Sequence, residues 1–252
     1  MRRWILAGIG VVIAAAVVWS WWAMPPSIIR SLPPGQTLIY VSWKPLRQVG
    51  ALSGAVARSP GYEAFVRESG FDFQQDLDAI AISMTGPPTR PTHTTAILRG
   101  QFGPKFTAYL QRHALRRERI GGAEAFIFPG WARPQQRLSV VPLGPGELLV
   151  TNAGNAAAVV AQARRWWSAA PELWKAGNNW RMLAGYADIN TEQLEAVRAL
   201  DGTAPPWQGV EQMEMSLRGS DGGLRLEGTA RAASPEAAAA VQTWVETELN
   251  AL

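Results

Sequence analysis

The chain contains no cysteine, which excludes disulfides, thiolate zinc sites and cysteine nucleophiles. Histidine occurs only twice, at His93 and His113, and neither has a partner at a metal-binding spacing. The phosphate-binding loop, the G-x-S-x-G nucleophile motif and the G-x-G-x-x-G dinucleotide motif are also missing. The sequence therefore predicts no metal, no cofactor and no recognisable catalytic constellation.

A concentrated positive charge is absent as well, although the formal net charge is +4. Two of the 24 basic residues are Arg2 and Arg3 at the N-terminus, so the remainder carries 22 basic against 20 acidic residues. A nucleic-acid-binding domain needs a concentrated basic face. We therefore predict that nucleic acid is not a partner of this chain.

The longest apolar run, residues 4–24, contains no charged side chain. At a rise of about 1.5 Å per residue, a helix of this length spans the hydrocarbon core of a bilayer. The arginines before it predict a cytoplasmic N-terminus, with residues 1–3 as a stub. The residues predicted to lie at the membrane interfaces are Arg2, Arg3, Trp4, Trp19, Trp21 and Trp22.

We predict from this run a single-pass signal-anchor in the bacterial cytoplasmic membrane, with the rest of the chain periplasmic or extracellular. A cleaved signal peptide is the competing interpretation, but the bulky Trp21 and Trp22 stand where small residues are preferred at a cleavage site. The third interpretation of this run is a helix buried inside a soluble domain. Residues 25–36, rich in proline, are predicted to be a semi-rigid linker.

The remaining chain predicts an α+β ectodomain of antiparallel sheets with helices packed on one face. Its two predicted halves are residues 37–170 and 171–252. Residues 37–115 and 181–250 share the element order strand–helix–strand–strand–helix, which suggests an internal repeat.

Two clusters are candidate binding residues. Residues 99–137 hold eight arginines or lysines against two glutamates, whereas residues 181–252 hold five arginines against eleven acidic residues. Solvated faces of opposite sign explain this; alternatively, Arg112, Arg116, Arg117 and Arg119 contact anionic lipid headgroups. Trp166 and Trp167 open a group of tryptophans that either packs in the core or forms an exposed patch for a ligand, lipid or partner.

The segments LPPGQTLIYVSWKPL and SPGYEAFVRESGFDFQQDLDAIAI resemble uncharacterised exported or membrane-anchored bacterial proteins of unknown function. The resemblance covers residues 32–155. It implies an envelope location and an α+β ectodomain, and it carries no catalytic residues.

These patterns favour a non-enzymatic envelope protein whose ectodomain binds a protein partner, a lipid or another apolar ligand. One alternative is a hydrolase whose site is assembled from dispersed residues, among them Asp76, Asp78, His93 and Glu227. Another is a purely structural tether. The oligomeric state is left open.

Overall fold

The computed structural model describes residues 24–48, 60–86, 93–130, 136–165, 183–190, 210–220 and 223–250. Within these ranges the strands are β1 (Thr37–Ser42), β2 (Leu77–Thr85), β3 (His93–Gly100), β4 (Arg116–Ile120), β5 (Ala123–Pro129), β6 (Arg137–Gly144), β7 (Glu147–Thr151), β8 (Leu183–Asn190), β9 (Val210–Ser220) and β10 (Gly223–Ala232). The helices are α1 (Ser27–Arg30), α2 (Trp43–Gln48), α3 (Pro60–Ser69), α4 (Phe73–Asp76), α5 (Pro104–His113), α6 (Ala156–Ala163) and α7 (Pro235–Asn250).

All ten described strands form one antiparallel sheet in the order β10-β9-β8-β1-β2-β3-β7-β6-β5-β4. Glycine-containing turns close its hairpins where the backbone needs a positive φ. Between β4 and β5, Gly121 and Gly122 have φ values of +56° and +78°, which suits the tight turn of a two-residue hairpin. The mixed α+β architecture predicted from the sequence is confirmed in this coarse form.

Helices pack on both faces of the sheet, and the two larger hydrophobic cores of the described residues lie on opposite faces. We call one side the α1 face; there α1 and α6 cover a core containing Tyr40, Ala81 and Ile97. We call the other the α5 face; there α3, α4 and α5 cover a core rich in phenylalanine, which includes Phe126. Successive strand residues point to opposite faces, so strands apolar at both parities supply both cores.

The prediction that helices pack on one face only is therefore wrong. On β7, Leu148 belongs to the α5-face core and Leu149 to the α1-face core, and both are at most 5% exposed. On β6, Val140 and Val141 divide in the same way. Strands that are apolar on both faces need helices packed on both sides, since burying apolar surface away from water stabilises the fold.

The stretch predicted to be a linker, residues 25–36, instead contributes to the α1-face core. Ile28, Ile29 and Leu32 are 1%, 0% and 2% exposed. Arg30 lies partly buried at the end of α1, where its Nε donates to the carbonyl of Pro25 at 3.1 Å. The four-residue helix α1 lies against β2 and β3. A short apolar stretch between prolines reads as a spacer in sequence, and only its contacts show that it closes the core.

The two predicted repeats can be compared in their strands. The hairpin chains β1-β2-β3 and β8-β9-β10 meet through their first strands, where Tyr40 pairs with Tyr186. The helix predicted between the first two strands of the second repeat falls within residues 191–209, which lie outside the described residues. The third strand of each set leads to a helix on the α5 face: α5 follows β3, and α7 packs with Met213 and Met215 of β9.

None of the described helices is both long enough and apolar enough to span a membrane. The predicted anchor at residues 4–24 lies outside the described residues except for its last residue, Met24.

Candidate functional site

The three central strands β1, β2 and β3 are closed on one face and partly open on the other. On the α1 face, Tyr40, Ala81 and Ile97 lie side by side and are 5%, 0% and 0% exposed. One residue away on the same strands, Ile39 and Ile82 pair across the α5 face and are only partly buried. The same strands therefore bury one row of side chains fully and leave the next row accessible.

We call the accessible residues the apolar row. Its members are Ile39, Val41, Ile80, Ile82 and Met84. They are partly exposed, and they belong to none of the buried cores that the described residues form. They sit on two neighbouring strands through the pairs Ile39–Ile82 and Val41–Ile80. From residue 80 to residue 84 the row is about 13 Å long at the usual rise of a strand.

Helices of the α5 face stand on either side of this row. Helix α5 contacts α3 and β5 on one side, and α7 contacts β10 on the other. Helix α2 follows β1 directly and contacts β2 and β8 at the end of the row. At the opposite end, Thr37 pairs with Met84 and is 2% exposed, and its buried hydroxyl has no hydrogen-bond partner among the described residues. The row thus lies on the part of the α5 face between the strands that α5 contacts and those that α7 contacts.

The residues of the alternative hydrolase site are not brought together. Asp76 accepts a hydrogen bond from the backbone N–H of Asp72 at 2.8 Å, and Asp78 forms an ion pair with Arg47 at 3.3 Å. His93 is exposed and pairs with Thr85 at the far end of β2, about 23 Å along the strand from Asp78.

Glu227, the remaining member, lies on the edge strand β10, where it forms ion pairs with Arg218 and Arg225 at 3.2 and 3.1 Å. Four other strands separate β10 from β3, which carries His93. Within the described residues, no group of three or more histidine, aspartate or glutamate side chains is placed to hold a metal ion.

Arg47 instead links α2 to the short helix α4. Its Nη1 donates to the carbonyl oxygens of Gln74, Gln75 and Leu77 at 3.1, 2.9 and 3.0 Å. Carbonyls at the end of a helix lack partners within that helix, and a guanidinium can satisfy several at once. This contact holds α2 at the end of the apolar row.

A second polar cluster holds α1 against β3. Arg99 donates to Ser27 and to Glu147, the latter from Nη2 at 2.6 Å. Burial, and then the nearby Arg99, lower the pKa of the Arg30 guanidinium. Burial raises the pKa of Tyr40. Sequence reasoning did not identify this cluster, because Ser27, Arg99 and Glu147 are far apart along the chain.

The four arginines predicted to bind a ligand or partner lie in one continuous stretch that ends α5 and forms β4. All four are exposed. Arg116 pairs with Glu118, and Arg117 pairs with Glu124 at 3.4 Å. Arg112 and Arg119 form no ion pair with the described residues.

The other predicted contact residues lie outside the described residues. These are Trp166 and Trp167 of the tryptophan group and Arg2, Arg3, Trp4, Trp19, Trp21 and Trp22 of the membrane interfaces. Sequence reasoning also missed the apolar row. The sequence did contain a signal for the apolar row. TLIYVS and LDAIAISMT carry apolar residues at both odd and even positions, a pattern typical of strands covered on both faces.

Comparison with solved structures finds the same fold in TP0453. Its crystal form III matches with a TM-score of 0.55 and 10% identity, over 90% of this chain and 87% of that one. Crystal form I matches with a TM-score of 0.55 and 10% identity, over 91% and 88%. Crystal form IV matches with a TM-score of 0.50 and 10% identity, over 81% and 78%.

No family model and no curated protein matches this chain. A structural likeness at 10% identity shows a shared fold and carries no residue roles. The predicted resemblance to uncharacterised bacterial proteins is compatible with these findings.

Proposed function

We propose that this chain is a membrane-anchored envelope protein whose domain binds an apolar ligand, an acyl chain of a lipid, on the apolar row. The observation that carries the proposal is the contrast between the two faces of β1 and β2. Tyr40 and Ala81 are closed off on the α1 face, while Ile39 and Ile82 remain accessible on the α5 face.

The chemistry of the row selects an apolar ligand. Its five side chains are aliphatic or thioether, and each methylene of a ligand buried against them gains about 0.8 kcal/mol. Methionine adapts its shape to irregular apolar ligands, which suits Met84 at the end of the row. Thr37, which is 2% exposed beside Met84, closes this end of the row with a buried side chain.

Ligand sites in proteins are mostly apolar clefts with a few polar groups that fix orientation. The row shares the apolar lining of such sites. A protein partner is the second occupant that an apolar row accepts, and the experiment below separates it from a lipid. A hydrolase is less well supported, because its candidate residues lie on helix α4 and on three different strands.

The test places a photo-crosslinking benzophenone amino acid at position 84 of the full-length chain in cells. Met84 is long, partly exposed and at the end of β2, so the change perturbs packing little. The matched control carries the same group at position 226, because Leu226 is 51% exposed on the edge strand β10. We expect lipid adducts, identified by mass spectrometry, at position 84 and not at position 226.

A companion variant, Ile82→Asn, adds a polar side chain to the row and should reduce the lipid adduct at position 84. If the crosslinked adducts at position 84 are proteins, the occupant of the apolar row is a protein partner and not a lipid. Equal lipid adducts at both positions would show non-specific contact with membrane and would contradict the proposal.

A further inference from the structure

We infer that the corner of the sheet where α5 ends and β4 runs along the edge docks onto an anionic membrane surface. We call it the basic corner; it consists of Arg112, Leu115, Arg116, Arg117 and Arg119. This inference is independent of the ligand proposed for the apolar row, since none of these residues belongs to it.

Leu115 is the most exposed large apolar residue in the described part of the chain, with 68% of its surface accessible. A single exposed leucine is ordinary on protein surfaces. Its position is what distinguishes it, because it lies between Arg112 and Arg116 in the connection from α5 to β4. Cationic side chains around an exposed apolar one are the pairing that binds proteins to the interface of anionic bilayers.

The corner keeps a positive charge after its internal ion pairs are counted. Its four arginines face two glutamates, Glu118 and Glu124. The Arg117–Glu124 pair is long, at 3.4 Å, and both side chains are more than half exposed. Exposed pairs of this kind contribute little, so the guanidinium groups remain able to bind phosphate.

The location at the edge of the sheet suits a broad, flat partner. Strand β4 is the last in the strand order, and its arginines alternate between the two faces. Arg116 pairs with Ile127 of the α1-face core, and Arg117 pairs with Phe126 of the α5-face core. Positive charge therefore borders the edge on both sides, whereas a small anion would need a cleft on one side.

Charge on an edge strand also prevents unwanted strand pairing between molecules. An exposed leucine does not help to prevent such pairing, because an apolar side chain on the surface favours association between molecules. Charge complementarity therefore favours anionic lipid headgroups, with Leu115 entering the interface. The far side of the sheet has the opposite charge. Residues 181–252, which include the opposite edge strand β10, carry five arginines against eleven acidic residues. The resulting asymmetry orients β4 toward a negative surface.

The absence of cysteine allows a direct test on the full-length chain. Leu115→Cys carries an environment-sensitive fluorophore, and Leu226→Cys on the opposite edge is the matched control. Each protein is reconstituted into vesicles of phosphatidylcholine alone or of phosphatidylcholine with phosphatidylglycerol. We expect a blue shift, with quenching by spin-labelled lipid, only at position 115 and only with phosphatidylglycerol.

Replacing Arg112, Arg117 and Arg119 by glutamine should lower the ratio of docked to undocked protein about a hundredfold. This estimate takes about fivefold, or about 1 kcal/mol, for each arginine near an anionic surface. High salt should weaken docking in the parent protein and change little in the triple variant.

The inference is overturned if position 115 responds equally with both vesicle compositions, or if position 226 responds as strongly. It is also overturned if soluble polyglutamate or RNA shifts the fluorophore at position 115 while phosphatidylglycerol does not. In that case the corner binds an acidic macromolecule. Neither result would bear on lipid adducts at position 84, so this inference and the proposed function fail separately.

Discussion

Replacing Ile29 by alanine tests whether residues 25–36 belong to the fold. Ile29 is 0% exposed and packs in the α1-face core. The change removes three carbon atoms, which at about 0.8 kcal/mol each amounts to about 2.4 kcal/mol of transfer free energy. The cavity left behind brings the expected loss to about 2–5 kcal/mol.

The matched control is Ser31→Ala, in the same segment. Ser31 is partly exposed, and its side chain makes no hydrogen bond with the described residues. Its replacement should change the free energy of unfolding by no more than about 0.5 kcal/mol. The two variants therefore differ in burial while sharing the same stretch of chain.

The measurement is urea unfolding of the full-length chain in a mild detergent, followed by tryptophan fluorescence. Thermal unfolding offers a second readout, since each kcal/mol lowers the midpoint by roughly 2–4 °C in a domain of this size. If Ile29→Ala costs less than about 1 kcal/mol, or no more than Ser31→Ala, residues 25–36 are a spacer, and the packing argument for α1 is wrong.

Two further predictions concern the contacts around α4. Arg47→Lys should cost about 1–3 kcal/mol of unfolding free energy, because an ammonium group cannot replace a guanidinium that bonds three carbonyl oxygens within residues 74–77; an unchanged urea midpoint would refute this. Tyr62 donates to Asp72 at 2.6 Å, and burial, together with the Asp72 carboxylate, raises the pKa of Tyr62 to about 12. The ordinary tyrosine pKa is about 10, so this stabilisation is complete below about pH 10 and is lost as pH rises toward 12. Tyr62→Phe should therefore cost about 1 kcal/mol at pH 8, and the difference from the parent should vanish across that window; a constant difference would show that the hydrogen bond is not responsible.

Local patterns predicted several elements to the residue. The apolar runs LDAIAISMT and ELLVT predict strands, and they form β2 (Leu77–Thr85) and β7 (Glu147–Thr151) over their full length. Asparagine before a helix predicts an N-cap, and the Oδ1 of Asn155 accepts from the backbone N–H of Ala158 at 3.1 Å. Such features depend on neighbours in sequence, since turns and caps form between residues a few positions apart.

The candidate site could be predicted only in part. The arginines of the basic corner were visible because all four fall within eight residues of sequence, but the exposure of Leu115 was not. The apolar row depends on which helix covers which face, and β1 and β2 are apolar on both. No local pattern states which of two apolar faces remains accessible.

The sequence alone determined the strands, their turns, the absence of familiar catalytic motifs and the expectation of an anchor, because each rests on composition or short-range periodicity. Tertiary structure alone decided that α1 closes a core, that helices occupy both faces of the sheet, and that the apolar row stays accessible. Burial is a property of residues distant in the chain, as when Ile29 packs beneath strands that begin near residues 77 and 93. Pairing between β1 and β8, about 150 residues apart, likewise joins the two ends of the chain into one sheet, and no local pattern encodes that contact.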